Sequence, residues 1–353
     1  MMTVLESLRK LPKVQLHCHL EGTVRPQTFA ELATRYGVPT EYRPDATSNA
    51  VQVQLEGGSI YRFSGFREFL YKFAAVCRSL QKPDDYARAL TEYADDAAAN
   101  GVMYAELFVS PSAWRFFHPA LDIEGVFKTL SATATTIRKR NGQRIRFIWD
   151  ITRNFGIKNA IESAQQAVLM RKYDVVAIGL GGDEANFPAY HFEEAFRIAR
   201  DGGLRAVAHA GEGAGAHSVR DAIEILGAER IGHGIRATES AEVIDLVKQR
   251  NVTLEICPTS NFRTGVAAED RRHPIHDLHS AGIRLMIDSD DPAIFETDLT
   301  REYAYAESLL GMDAVLTFAN QAVQASFADP GAKAEMTQKL QTASAELFTN
   351  RRS

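Results

Sequence analysis

Two histidines spaced by two, His17 and His19, end the apolar run that opens at Lys13. Side chains on a β-strand alternate faces, so both imidazoles project the same way and Cys18 the other. Two imidazoles side by side make half of a tetrahedral metal site. Four later stretches offer candidates for the rest: Gly179-Leu-Gly-Gly-Asp-Glu184, His209-Ala-Gly-Glu212, Gly232-His-Gly234 and Asp288-Ser-Asp-Asp-Pro292. The last three each have a plainer reading when taken alone. His209 with Glu212 reads equally well as a buried histidine bonded to a carboxylate. His233 between glycines reads as a turn residue, and Asp290-Asp291-Pro292 as a helix N-cap with proline at the first helical position. Their recurrence at the ends of successive apolar runs is what points to one site.

Assembled, three histidines and carboxylates suit Zn2+ better than Mg2+ or Ca2+. A zinc ion with an open position makes hydroxide available near neutral pH. Glu212 and His233 then read as acid/base partners, and hydrolytic attack on an electron-poor carbon follows as the reaction class. The other histidines carry less. His273, His276 and His279, spaced by three, read as a packing or surface feature, and His118, His191 and His217 fall in loops or helix starts.

Positioning these groups takes an alternation of strands and helices. Short β-branched or apolar runs fall at 13–18, 102–109, 144–151, 175–180, 205–209, 230–233, 253–257 and 284–288. Helical patterns lie between them at Asp122–Lys139, Ala160–Arg171, Phe192–Asp201, Ser218–Leu226, Ser240–Arg250 and Ile275–Ala281. Eight strands with intervening helices predict an α/β fold, a (β/α)8 TIM barrel, with an open sheet in two lobes as the alternative. A barrel collects its chemistry at the C-terminal ends of its strands, where the candidate residues fall. The first connection, Gly22 to Asn100, is too long for one helix. It reads as a helix at Pro26–Tyr36, a polar stretch at Thr40–Gly58 and two helices at Ser64–Leu80 and Pro83–Asn100. This helical insertion between strands 1 and 2, about residues 23–100, is expected to act as a lid over the mouth. Helices from Leu299 to Thr349 complete a single domain spanning 1–353.

Composition narrows the class. The 353 residues are 45% hydrophobic and 24% charged, with a net charge of −5. That balance gives no electrostatic reason to expect nucleic acid or an anionic membrane as partner. No apolar run approaches the ~18 residues that span a bilayer, and residues 1–10 lack the apolar core of a signal peptide. Cys18, Cys77 and Cys257 are too few and too scattered for a disulfide framework. A cytoplasmic protein with reduced thiols is expected.

The motifs together resemble the adenosine/adenine deaminase family of metal-dependent amidohydrolase barrels. The matching pieces are Leu16-His-Cys-His-Leu-Glu-Gly22, Gly182-Asp-Glu184, His209-Ala-Gly-Glu212, Gly232-His-Gly234, Cys257-Pro-Thr-Ser-Asn261 and Ser289-Asp-Asp-Pro292. They occur in the family's order and cover nearly the whole chain. The resemblance implies that His17, His19, His209 and Asp290 bind one Zn2+. It implies that Glu212 protonates purine N1, that His233 orients and helps deprotonate the metal-bound water, and that Asp291 contacts that water or N7. The Gly182 N–H would hold N3, and Glu21 would face the substituent on N9. The implied reaction is hydrolytic deamination of a 6-aminopurine nucleoside, adenosine or 2′-deoxyadenosine first. Free adenine and aminodeoxyfutalosine are the alternatives.

Two departures bear on substrate. Ser289 stands where the family usually has Thr, and Glu21 where adenosine-specific members commonly have Asp. The segment Phe66-Arg-Glu-Phe-Leu70 looks more like the nucleoside branch. Arg153 could meet the carboxylate of aminodeoxyfutalosine, although a solvent-facing or salt-bridged arginine is its plainer reading. Two-metal hydrolases of the same superfamily use a carboxylated lysine at strand 4, whereas Gly179–Gly182 here contains none. A non-catalytic purine-binding barrel would have no need of Glu212 and His233.

Overall fold

In the computed structural model, which describes residues 3–40 and 60–352, eight parallel strands follow one another around a barrel in chain order. They are β1 (Lys13–His19), β2 (Val102–Val109), β3 (Arg144–Thr152), β4 (Val175–Gly181), β5 (Arg205–Ala210), β6 (Arg230–His233), β7 (Thr253–Ile256) and β8 (Arg284–Ile287). Helices between them give the (β/α)8 arrangement that the strand–helix alternation predicts. Parallel strands covered on both faces are apolar nearly throughout, which is why these segments read as continuous runs. Phe108, Ile148, Ala177 and Val207 form a small apolar cluster on the inward face, separate from the large core between strands and helices.

The ring has two thin places. Strands β4 and β5 pair only at Ala177 with Arg205 and Ile178 with Ala206. At the other seam a single bridge joins Cys18 to Asp290 beyond β8. There the His19 N–H donates to the Asp290 carbonyl (3.0 Å) and the Asp290 N–H to the His17 carbonyl (3.1 Å). The Leu16 N–H adds a bond to the Asp288 carboxylate (2.8 Å).

Below the barrel, α1 (Val4–Lys10) starts with a reciprocal cap between Thr3 and Glu6. Buried Lys13 ties this end together by donating to the carbonyls of Leu8, Leu11 (2.9 Å) and Asn100 (2.8 Å). In the insertion, α2 (Pro26–Tyr36), α3 (Gly65–Ser79) and α4 (Pro83–Ala99) match the expected helices. The polar stretch between α2 and α3 lies outside the described residues apart from Thr40. Lys72 bridges its flanks through the carbonyls of Thr40 (2.6 Å) and Ile60 (2.9 Å). α3 lies over the barrel mouth, whereas α4 packs against the helix Ile123–Asn141.

Sequence reasoning did not find α1 or two short helices that follow strands directly, Pro111–Phe117 and Pro258–Arg263; a third, Pro292–Phe295, starts where Asp290-Asp291-Pro292 reads as a helix N-cap. Each of the three begins with proline at its first position, a signal present in the sequence. After β8 the chain forms Leu299–Leu310, Met312–Ala325 and Pro330–Arg352. No described helix is long and apolar enough to cross a membrane.

Candidate active site

The top of the barrel brings His17, His209, His233 and Asp290 together, each with a ligand-type atom within 4.8 Å of the others. His19 joins the cluster from the side. Its Nε2 is 3.2 Å from His209 Nε2 and 3.4 Å from Asp290 Oδ1. His17 Nε2 is also 3.4 Å from Asp290 Oδ1. Neighbouring bonds fix two of the tautomers. His17 Nδ1 lies 2.7 Å from Glu255 Oε2, and His209 Nδ1 lies 3.0 Å from the Leu180 carbonyl. Those oxygens only accept, so both rings carry hydrogen at Nδ1 and turn an Nε2 lone pair inward. His17 Nε2 and His19 Nδ1 are buried without a hydrogen-bond partner. Ser260 Oγ occupies Asp290 Oδ2 (2.6 Å), leaving Oδ1 toward the histidines. Inward lone pairs around a free carboxylate oxygen fit a cation and are poorly satisfied without one.

Electrostatics separate the three imidazoles: burial opposes charge on His17, but its hydrogen bonds to Asp290 and Glu255 hold it well above its usual value. Burial holds His19 down to about 4, and burial together with the neighbouring histidines pushes His209 well below its usual value. Both imidazoles are therefore neutral at ordinary pH. Glu255 is itself anchored: Arg230 Nε donates to its Oε1 (2.7 Å) and Arg230 Nη1 to Glu106 Oε2 (2.6 Å), all within the barrel. Backbone strain also gathers here. His233 and Asp290 have φ of +61° and +60°, a region that costs a side-chain-bearing residue about 1–3 kcal/mol.

Glu212 stands beside this cluster, its Oε2 3.6 Å from His233 Nε2. Burial first, then the carboxylates of Asp290 and Glu184, push Glu212 up to about 8. It is therefore a protonated acid at neutral pH. Its loop is held by Glu184, which accepts from the backbone N–H groups of Gly211 (2.6 Å), Glu212 (3.1 Å), Gly213 (2.7 Å) and Ala214 (3.1 Å). Asp291 occupies the N-cap position of Pro292–Phe295 without making a side-chain cap bond. Its Oδ1 is buried and unpartnered. A Cβ on Gly22 would overlap this carboxylate, so only glycine fits there. Gly182, at φ +94°, brings bare backbone to the same cavity.

That cavity holds ≈ 260 Å3. His19, Gly182, His209, Glu212, His233, Asp290 and Asp291 line its floor; Phe66, Phe69, Leu70 and Phe73 of α3 form one wall, with Phe117 and Phe155 opposite.

Comparison with known proteins places the chain. A family model described as adenosine deaminase matches residues 12–343. The chain belongs to the adenosine deaminase family. It is 35% identical over 323 residues to the adenine deaminase of Rhizobium leguminosarum bv. trifolii, covering 90% of this chain and 95% of that one. It is 34% identical over 310 residues to the aminodeoxyfutalosine deaminase of Acidothermus cellulolyticus, covering 86% and 84%. The crystal structure of an adenine deaminase from Arthrobacter aurescens superposes with a TM-score of 0.83 at 27% identity, covering 94% and 98%. The chain is thus an adenosine deaminase-family hydrolase that acts on a 6-aminopurine.

Two expectations about this deaminase need correction. Glu21 does not face the mouth. The chain turns immediately after β1 through the short helical turn Glu21–Thr23, and Glu21 Oε1 accepts from the Ser110 N–H (2.9 Å) and Trp114 Nε1 (2.6 Å). The residue is fully buried and absent from the cavity wall. Arg153 is neither solvent-facing nor aimed at substrate: it is buried and donates to the carbonyls of Phe187 (2.7 Å) and His209 (2.7 Å). His209 and Glu212 share no bond, so the reading of them as a structural pair fails.

Other functional groups of this deaminase are legible only from the fold. Glu255, which orients His17, sits 238 residues away in sequence. Asp150 on β3 lines the cavity with Oδ1 unpartnered, and no motif flagged it. Glu184 and Asn261 lay inside quoted motifs without a role.

Proposed function

We propose that this chain deaminates adenine, exchanging the amine on C6 for oxygen to release hypoxanthine and ammonia. His17, His19, His209 and Asp290 would hold one Zn2+, since three neutral imidazoles and one carboxylate are a zinc donor set. The observation that carries the choice of free base over adenosine is the engagement of Glu21. Its Oε1 accepts from Ser110 and Trp114, its Oε2 is buried without a partner, and the residue is absent from the cavity wall, out of reach of a ribose 5′-hydroxyl placed there. The wall adds support. No Lys or Arg lines the cavity among the described residues, so neither a 5′-phosphate nor the carboxylate of aminodeoxyfutalosine finds a cationic partner there. The relatives named adenine deaminase are consistent with this reading.

Zinc, when bound, lowers the pKa of a water to about 7. The remaining chemistry belongs to the protein. The purine lies between the Gly182 N–H at N3 and the Glu212 carboxyl at N1. Glu212, protonated because it is buried, gives its proton to N1 and draws electrons from C6. Asp291 takes the proton of the water that adds to C6. The C6–N bond then breaks: Asp291 passes its proton to the amine, which leaves as ammonia, and the C6 hydroxyl gives up its proton to restore the Glu212 carboxyl as the 6-oxo group forms. Phe66, Phe69 and Phe73 cover the ring and exclude bulk water.

Ammonia release from adenine, adenosine, 2′-deoxyadenosine, AMP and aminodeoxyfutalosine tests the reading. Adenine should show the highest kcat/KM and AMP the lowest. Adenosine or aminodeoxyfutalosine ahead of adenine overturns the choice of substrate, and two zinc ions per chain overturns the single-metal site.

A further inference from the structure

His233 meets the cavity through Nε2, but its other nitrogen belongs to a buried chain of bonds on the far side. His233 Nδ1 lies 3.0 Å from Asn261 Nδ2, Asn261 Oδ1 lies 3.1 Å from His273 Nε2, and His273 Nδ1 lies 3.1 Å from the backbone N of Ile275. All three side chains are buried, Asn261 completely. The last link decides the direction of every other. A backbone N–H can only donate, so His273 Nδ1 accepts. His273 is then neutral with hydrogen on Nε2, in line with burial holding it down to about 4. Its Nε2–H donates to Asn261, which fixes Oδ1 at that end and the amide NH2 at the other. The NH2 donates to His233 Nδ1, leaving the proton of a neutral His233 on Nε2.

We infer that Asn261 and His273 are positioning residues that set His233 as an Nε2–H donor toward the reacting water and the C6 oxygen. This rests on the deaminase reading above and departs from the role that the family resemblance implies for His233. The family resemblance gives His233 a share in deprotonating the water. With hydrogen already on Nε2, His233 cannot accept a proton through the nitrogen that faces the cavity. Its role becomes stabilisation of negative charge as oxygen adds to C6. The proton then goes to a carboxylate, and Asp291 has the free, buried oxygen to take it. The arrangement also accounts for Asn261 within Cys257-Pro-Thr-Ser-Asn261. The short helix Pro258–Arg263 aims it at His233, and its amide offers opposite polarities to two histidines.

The test uses the zinc-loaded enzyme labelled with 15N-histidine, with signals assigned by comparison with His233→Gln and His273→Gln. Long-range 1H–15N correlation should show His233 protonated at Nε2 and bare at Nδ1. Asn261→Asp presents acceptors to both rings, so the His233 proton should move to Nδ1. In that variant kcat for the best purine should fall ~10^2-fold or more, the scale of removing one preorganised donor, while KM changes only a few-fold. His273→Leu should also lower kcat, and His273→Gln, which restores an N–H donor, should recover most of it. A wild-type His233 protonated at Nδ1, or wild-type kcat in Asn261→Asp, overturns the inference. If Asn261→Asp does not fold, equal kcat in His273→Leu and wild type overturns it instead. Failure of every 6-aminopurine to react defeats the substrate reading alone, because the resonance assignment still decides the tautomer.

Discussion

Glu212 is the residue on which the chemistry turns, because a carboxyl can give a proton to N1 only if it holds one at working pH. An exposed glutamate would not. Here burial first, and then repulsion from Asp290 and Glu184, keeps the proton on up to about 8. The sign follows directly. The acid form is present below that value and lost above it, so kcat/KM should decline as pH rises through about 8. Glu212→Gln should keep fold and metal content while losing ~10^2–10^4-fold in kcat, the usual contribution of a positioned acid. It should also lose the alkaline decline that Glu212 produces. A Gln variant with wild-type turnover would return Glu212 to a structural role. At this scale the sequence was informative about inward-facing residues and silent about those behind them. His17, His19, His209, Glu212, His233, Asp290 and Asp291 all reach the cluster or its cavity. A ligand's partner has no sequence signature of its own. Glu255 reads as an ordinary strand residue until β7 is placed near β1.

Among the elements, the strands were the most legible. All eight observed strands start at the residue where the apolar run begins, and their ends differ from it by at most one residue. Runs buried on both faces leave little room for error in a parallel barrel. The short helices after β2 and β7 were not found, because six or seven residues carry too little periodicity and only their leading prolines mark them; the one after β8 showed only its start, at Pro292. Glu21 was misplaced for a related reason. Strand alternation says where a side chain points only while the strand lasts, and β1 ends at His19. Lys13 shows an element-level dependence that can be measured. At the start of β1 its ammonium joins α1, the strand and the turn before β2 through three carbonyls. Lys13→Met keeps the apolar stem and removes the donors. Leaving buried acceptors unpaired should cost on the order of 2–4 kcal/mol, seen as a lower denaturation midpoint, with turnover per folded molecule unchanged. An unshifted midpoint would mean that water replaces the ammonium and the tie is dispensable.

For the whole molecule, the cluster's position relative to the two thin seams matters more than its local chemistry. His17 and His19 lie on β1 and Asp290 just past β8, on opposite sides of the seam whose strand pairing is the single Cys18–Asp290 bridge. His209 lies on β5, beyond the seam where β4 and β5 pair at two positions. An ion held by these residues would therefore link β8 to β1 and β1 to β5 across the mouth, so neither seam could open without breaking a ligand bond. Binding to the folded state alone stabilises it by RT ln(1 + [L]/Kd), about 2.7 kcal/mol at a hundredfold excess over Kd. Chelation should accordingly lower Tm, and the loss should be localised. Amide hydrogen exchange should quicken at the ends of β1, β5 and β8, while β2 and β3, paired along six consecutive positions, should keep their protection. Zinc added back should restore both Tm and exchange. A chelated protein with unchanged Tm and unchanged exchange at both seams would show that the barrel closes without the ion, and that His17, His19, His209 and Asp290 serve the reaction without holding the ring together.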